Sequence, residues 1–299
     1  MTVAVVFALA AALANATRLL AQHVASIDIP KRAGGRGSVS YLLHSPLWLV
    51  GWAAAAAAFL FQAVALHHGL LSIVQPLLVA ELVFTLVLRR YALHQDIAPA
   101  AWSSAIFLCI ALAVFVTAAE PQGGSPTPDS AQWLSCLATF GGIVALCTLL
   151  AARGSPMRRA ALYATASAIV FAFMATFLKA ATQTLTSSGP ERMLAAWPVY
   201  GIVACGIGGS ILQQAALQSG PLSISQPLFT SVDPAVAIVV SIWIFGERYT
   251  NSPVKIIAGV VSFVALVIGV IMLTRTAPAT VTASPHYGDT SSPDHSAEP

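Results

Sequence analysis

The chain has 299 residues, of which 57% are hydrophobic and only 8% charged, and its mean hydropathy is +0.80. A soluble domain carries about 25% charged residues, so the composition excludes soluble and disordered classes and leaves an all-α polytopic membrane protein. The net charge of +3 says little as a sum, and no nucleic acid is expected as a partner; the placement of the charges is what informs.

A spanning helix needs about 20 mostly apolar residues. Such runs fall at residues 3–25, 46–67, 70–89, 101–119, 131–152, 160–183, 195–217, 222–245 and 254–274, which predicts about nine transmembrane helices. In the first, Ala12-Leu13-Ala14 mimics a signal-peptidase site, but the segment lacks a basic n-region and its apolar run is too long, so it is kept as a span. Two links are tight, His67-His68-Gly69 and Gln218-Ser219-Gly220-Pro221, where Gly and Pro end one helix and start the next. The longest loops are Asp28 to Ser45 and Glu120 to Ser130; residues 276–299 read as a disordered tail. Cys109, Cys136, Cys147 and Cys205 sit in apolar segments at unrelated spacings and read as small buried hydrophobes.

Two of these segments share a sequence. Gln62-Ala-Val-Ala-Leu-His-His-Gly-Leu-Leu-Ser-Ile-Val-Gln-Pro-Leu77 aligns without gaps with Gln213-Gln-Ala-Ala-Leu-Gln-Ser-Gly-Pro-Leu-Ser-Ile-Ser-Gln-Pro-Leu228. Asn15-Ala-Thr-Arg-Leu-Leu-Ala21 likewise resembles Met174-Ala-Thr-Phe-Leu-Lys-Ala180. Spans one to four (residues 1–119) therefore correspond to spans six to nine (160–275), with span five in a linker (120–159). The odd span between the halves predicts an inverted-topology repeat, as in many transporters. Lys31, Arg32, Arg36, Arg89, Arg90, Arg153, Arg158, Arg159 and Arg275 gather on one face; the other has Arg192, Arg248 and Lys255 with Glu120, Asp129, Glu191 and Glu247. The positive-inside rule then predicts an outside amino terminus and a cytoplasmic tail, in a membrane expected to be the bacterial cytoplasmic one.

Ionisable groups at membrane depth cost about 2.5–3.5 kcal/mol on insertion scales, so each needs a reason. Glu81 and Asp233 lie midway along spans three and eight, near-equivalent in the repeat. Ser223, Gln226, Thr230 and Asp233 share one helical stripe, loosened by Pro227 and Pro234. Ser72 and Gln75 share a stripe in span three, but Glu81 points about a third of a turn away unless Pro76 kinks the helix. Arg18 and Lys179 are the candidate ion-pair partners of the two acids; snorkelling to an interface is the other structural reading, and a proton- or cation-responsive site the functional one. Gln62, Gln75, Gln213, Gln214 and Gln226 serve either helix-to-helix hydrogen bonding or a substrate cavity. Gly201, Gly206, Gly208 and Gly209 predict close packing of span seven, and Trp48, Trp52, Trp102, Trp133 and Trp197 predict interfacial anchors. His67 and His68 face the outer water in this topology. No Walker loop, metalloprotease or nucleophile-elbow motif occurs, so no enzyme activity and no cofactor is expected.

Phe245-Gly-Glu-Arg-Tyr-Thr250, followed by Ile257-Ala-Gly-Val260, resembles the end of EamA-type repeats of the drug/metabolite transporter superfamily. The twin Ser-x-x-Gln-Pro segments stand where that superfamily has a proline-containing helix. The span count and outside amino terminus are closer to its NIPA-like branch, which is associated with magnesium transport. The first half departs from the pattern, reading Leu88-Arg-Arg-Tyr-Ala-Leu-His94 in place of the Gly-Glu-Arg turn. The resemblance implies a secondary transporter of a small solute working by alternating access, with proton or cation coupling. Its cavity is expected between spans three and eight, at Gln75, Glu81, Gln213, Gln226, Thr230 and Asp233. The alternatives are a magnesium or other divalent-cation transporter, disfavoured by Arg18 and Lys179, and a non-transporting membrane scaffold. The expected partners are a small-molecule or cation substrate, the lipid bilayer and a second copy of the chain as a homodimer.

Overall fold

The computed structural model describes residues 1–27, 46–119, 129–248 and 252–276. The basic loop with Lys31, Arg32 and Arg36, the loop with Glu120, residues 249–251 and the tail from 277 onward lie outside the described residues. Ten helical segments follow one another: α1 (Thr2–Ile27), α2 (Pro46–His68), α3 (Leu71–Leu78), α4 (Glu81–Ala92), α5 (Pro99–Ala119), α6 (Ser130–Ala151), α7 (Pro156–Ala195), α8 (Trp197–Ser219), α9 (Leu222–Phe245) and α10 (Pro253–Thr276). Segments α3 and α4 together make one span, so nine helices among the described residues are long and apolar enough to cross a membrane.

The helices meet through small residues. Ala4, Ala8, Ala11, Ala12 and Ala16 are fully buried along one side of α1, which lies along α2. A Cβ on Gly51 would come 2.8 Å from Gln22 Cγ, so only glycine allows that approach. Helices α7 and α8 pack in the same manner. A Cβ on Gly201 would meet the Phe177 ring at 2.6 Å and one on Gly209 the Phe171 ring at 3.1 Å. Ser167 Oγ also donates to the Gly209 carbonyl at 2.9 Å. Gly206 has only Met174 Sδ at 3.7 Å, and Gly208 has no neighbour within 4 Å, so the close packing of this span rests on two of its four glycines.

Corresponding contacts recur in the two halves. Helix α1 packs on α2, α3 and α4, as α7 packs on α8 and α9; α5 packs on α10, and α3 meets α9 at the centre. The tight links behave alike. A Cβ on Gly69 would lie 2.5 Å from Ala4 in the first turn of α1, and one on Gly220 2.8 Å from the Pro156 carbonyl oxygen at the start of α7.

Three departures from the sequence reading have physical causes. Span three is not one helix. Pro76 donates no bond, and the chain after it tightens into i→i−3 bonds: Val79 N–H to the Pro76 carbonyl, Ala80 to Leu77 and Leu82 to Val79, each at 3.1 Å. Span six runs on to Ala195, bent at Gly189, whose φ of 84° suits glycine and precedes Pro190. Trp133 is not an interfacial anchor but is 8% exposed, stacked on Phe177 at 5.5 Å and edge-on to Trp197 at 4.9 Å. With Phe140 against Phe173 at 5.5 Å, it fastens α6 to α7.

Gly201→Ala is expected to destabilise the protein by about 1–3 kcal/mol, because the added methyl overlaps Phe177. Gly208→Ala, which meets nothing, is expected to stay within about 0.5 kcal/mol. Thermal or steric-trap unfolding of the two variants in micelles checks the contrast.

Candidate functional site

A cavity of ≈ 600 Å³ opens between α1, α2, the α3–α4 span, α7, α8 and α9. Gln75, Glu81, Gln213, Thr230 and Asp233 all line it, as does Arg18, so the fold brings the two mid-span acids to one space. Asn15, Gln62 and Ser210 complete its polar lining. Gln226 is not part of the lining; its carbonyl accepts the Thr230 hydroxyl at 3.1 Å. Gln214 is exposed and is not part of the lining either.

The break in span three explains how Glu81 reaches the cavity. In an unbroken α-helix, six residues at 100° leave Gln75 and Glu81 about 120° apart. Running about three of those residues at the 120° of a 3₁₀ turn reduces the divergence to about 60°. Both side chains then line one cavity wall.

The charges in the cavity are not paired with one another. Among the described residues, neither Glu81 nor Asp233 has a basic group within salt-bridge distance, and Asp233 Oδ1 is inaccessible yet has no hydrogen-bond partner. Among the described residues, Arg18 reaches Asn15 at 3.4 Å and Gln22 at 3.5 Å on its own helix, both beyond the usual 2.7–3.2 Å range. Glu81 lies within electrostatic reach of Arg18, and Asp233 within reach of Glu81. The buried side-chain atoms without a partner among the described residues, Ser225 Oγ, Ser231 Oγ and Asp233 Oδ1, are all on α9. Each such atom costs about 1–3 kcal/mol, so α9 sits in an environment that leaves its polar groups unsatisfied.

Lys179 does not serve the acids of the cavity. Its ammonium pairs with Glu247 at 2.5 Å and lies 4.8 Å from the centre of the Phe245 ring. The sequence reading put Glu247 in a surface turn; here it is 1% exposed. Gly246, at φ 59°, ends α9 in the left-handed conformation, and Glu247 N–H returns to the Ser241 carbonyl at 3.2 Å. That turn aims the Glu247 carboxylate at the start of α3. There it accepts the Leu71 N–H at 3.0 Å, the Ser72 N–H at 3.2 Å and the Ser72 hydroxyl at 2.6 Å.

Glu247 therefore caps α3 from 176 residues away, where Leu70 supplies no side-chain cap. Burial pushes its carboxyl pKa up, but Lys179, Ser72 and the Leu71 N–H outweigh burial and hold it below the usual glutamate value. Two features could have found the node from sequence: the Gly-Glu turn, and a serine at the first turn of the duplicated helix. Neither names the partner. At the opposite end of span three, Arg89 is buried and its Nε donates to Gln95 at 2.9 Å, while the Arg90–Asp96 pair at 3.0 Å lies in the open.

No family model matches the chain, and no solved structure matches it. It is similar to an uncharacterized protein of Corynebacterium glutamicum, 29% identical over 278 residues, which cover 91% of this chain and 95% of that one.

Glu247→Ala strands the Lys179 ammonium and the first N–H groups of α3, and is expected to cost about 3–5 kcal/mol in equilibrium unfolding. Arg90→Ala is expected to have no measurable effect. Because the Glu247 pKa is depressed, the stability it contributes is present above the ordinary glutamate pKa and lost only as pH falls through the depressed value. The difference in thermal midpoint between the native protein and Glu247→Ala is therefore expected to stay constant between about pH 8 and pH 5.

Proposed function

We propose that the chain is a secondary transporter of a small solute, working by alternating access and coupled to protons or another cation. The observation that carries this reading is one central cavity holding two unpaired carboxylates, Glu81 and Asp233, beside a fully buried polar seal at Glu247. Unpaired acids at membrane depth are costly, and binding a proton or a cationic group offsets that cost.

An inverted-topology repeat, with spans one to four matching six to nine, supplies the two conformations. It is supported by the duplicated sequence, the recurring helix contacts and the matching seats of Gly69 and Gly220. The duplicated segments also occupy different environments. Ser72, Ile73, Val74, Gln75, Pro76 and Leu77 are all buried, with Ser72 bonded to Glu247. In the second copy Ser223 is exposed, and Ile224, Gln226, Pro227 and Leu228 are only partly covered. In an inverted repeat, exchanging those environments converts opening at one face into opening at the other. On this reading the Glu247–Lys179–Ser72 node is the gate that is closed in the present state.

We place the chain in the cytoplasmic membrane with its amino terminus outside, from the charge distribution, and in the drug/metabolite transporter superfamily, from the Gly-Glu-Arg turn and the twin Ser-x-x-Gln-Pro helices. A magnesium pathway has less support. Arg18 lines the same cavity as the two carboxylates, and its positive charge opposes a bound dication.

In proteoliposomes with an imposed pH gradient, the native protein is expected to accumulate solutes from a mixed panel. Asp233→Asn and Glu81→Gln, which keep size and hydrogen bonding, are each expected to lower gradient-driven uptake by about a hundredfold. Unchanged uptake in both variants overturns the coupling role, and no flux of any solute favours a scaffold.

A further inference from the structure

We infer that the cavity takes an organic monocation, an ammonium group carried on an apolar body, with the ammonium held at Asp233 and Glu81. This rests on the transporter reading and names its substrate class. Within the cavity, two carboxylates face one guanidinium, Arg18, so one negative charge is left over. Among the described residues no second basic side chain lines the cavity: Lys179, which would have balanced the site, is held by Glu247 at 2.5 Å. In a low-dielectric space an uncompensated carboxylate is expensive, and a ligand that brings one positive charge closes the balance.

The walls decide what kind of cation it is. Trp52, Phe59, Phe171 and Phe229 line the cavity, and none of these four rings has a ring–ring contact among the described residues. Trp133, Phe173 and Phe177 are not part of the lining: Trp133 stacks on Phe177, and Phe173 lies tilted against Phe177. Unstacked aromatic faces beside carboxylates attract a cation with its alkyl or aryl substituents, which a hydrated metal ion lacks. A volume of ≈ 600 Å³ is that of a drug-sized site and far exceeds what a single metal ion fills. Gln75, Gln213 and Thr230 supply oxygen acceptors for the ammonium N–H groups. The Asp233 side chain lines the cavity, and its Oδ1 has no hydrogen-bond partner among the described residues. Arg18 has a distinct part: its charge limits the surplus to one and opposes a dication.

Binding to the purified full-length chain in nanodiscs, measured by calorimetry, tests the inference without requiring transport. The probes are phenethylammonium, neutral phenylethanol, anionic phenylacetate, free phenylalanine as the zwitterion, and magnesium chloride. Phenethylammonium is expected to bind about tenfold or more tighter than each of the others. Asp233→Asn is expected to remove about tenfold of that preference while leaving phenylethanol unchanged. Glu81→Gln is a second isosteric variant, read where gel filtration shows that Asp233→Asn does not fold.

Equal or tighter binding of the alcohol, the zwitterion or Mg²⁺ overturns the inference, and so does an ammonium preference that survives in both variants. The two levels also separate. Ammonium binding with no flux in proteoliposomes supports this inference and overturns the transporter reading; gradient-driven flux of a neutral or anionic solute with no ammonium binding does the reverse.

Discussion

A carboxylate just past the end of α9, Glu247, sits at the first turn of α3, and much of the molecule is arranged around it. Taking a carboxylate and an ammonium out of water is costly, and the mutual attraction of Glu247 and Lys179 repays it only when the remaining lone pairs are satisfied. The start of α3 satisfies them: two backbone N–H groups and the Ser72 hydroxyl complete the shell of Glu247. The helix end in turn gains an acceptor that its own sequence lacks, since Leu70 offers no cap. One interaction therefore joins α3, α7 and the end of α9.

The rest of the site follows from what the node takes away and what it leaves. It consumes Lys179, so the cavity holds two acids against one base. It pins the upper part of span three, so the distortion introduced by Pro76 is absorbed below, at Val79 and Ala80, and that tightening turns Glu81 toward the cavity. Among the described residues, helix α9 has no side-chain cap at its own start. Ser223 is exposed, and Ser225, Ser231 and Asp233 keep buried atoms without partners among the described residues. The two copies of one sequence thus differ in energy: one satisfied and buried, the other polar and partly open. On the proposed transporter reading, such a difference lets the molecule rest in one state with a second arrangement to move into.

The span boundaries were legible because burial in a bilayer is set by a local property, about 20 apolar residues in a row. Each expected span has its helix, with Gly69 and Gly220 at the links between them. The site was legible in part. Mid-span acids stand out against an apolar background, and Glu81, Asp233, Gln75, Gln213 and Thr230 do line one cavity. Gln226 was misplaced by a helical-wheel argument that treats α9 as an ideal cylinder. Trp133 was misplaced because an aromatic near a span end has the same sequence signature whether it faces headgroups or a neighbouring helix.

The amino-acid sequence by itself determined the class of protein, the number of spans, the duplication and which polar side chains lie at depth. All of these depend on composition and spacing along the chain. Only the tertiary structure decided the partners. Lys179 meets Glu247 across 68 residues, and Ser72 meets the same carboxylate across 175. The rotation of Glu81 depends on how a proline's missing hydrogen bond is absorbed by the surrounding packing. Charge pairing and helix phase are settled by which surfaces come together in three dimensions, and no periodicity along the chain encodes that choice.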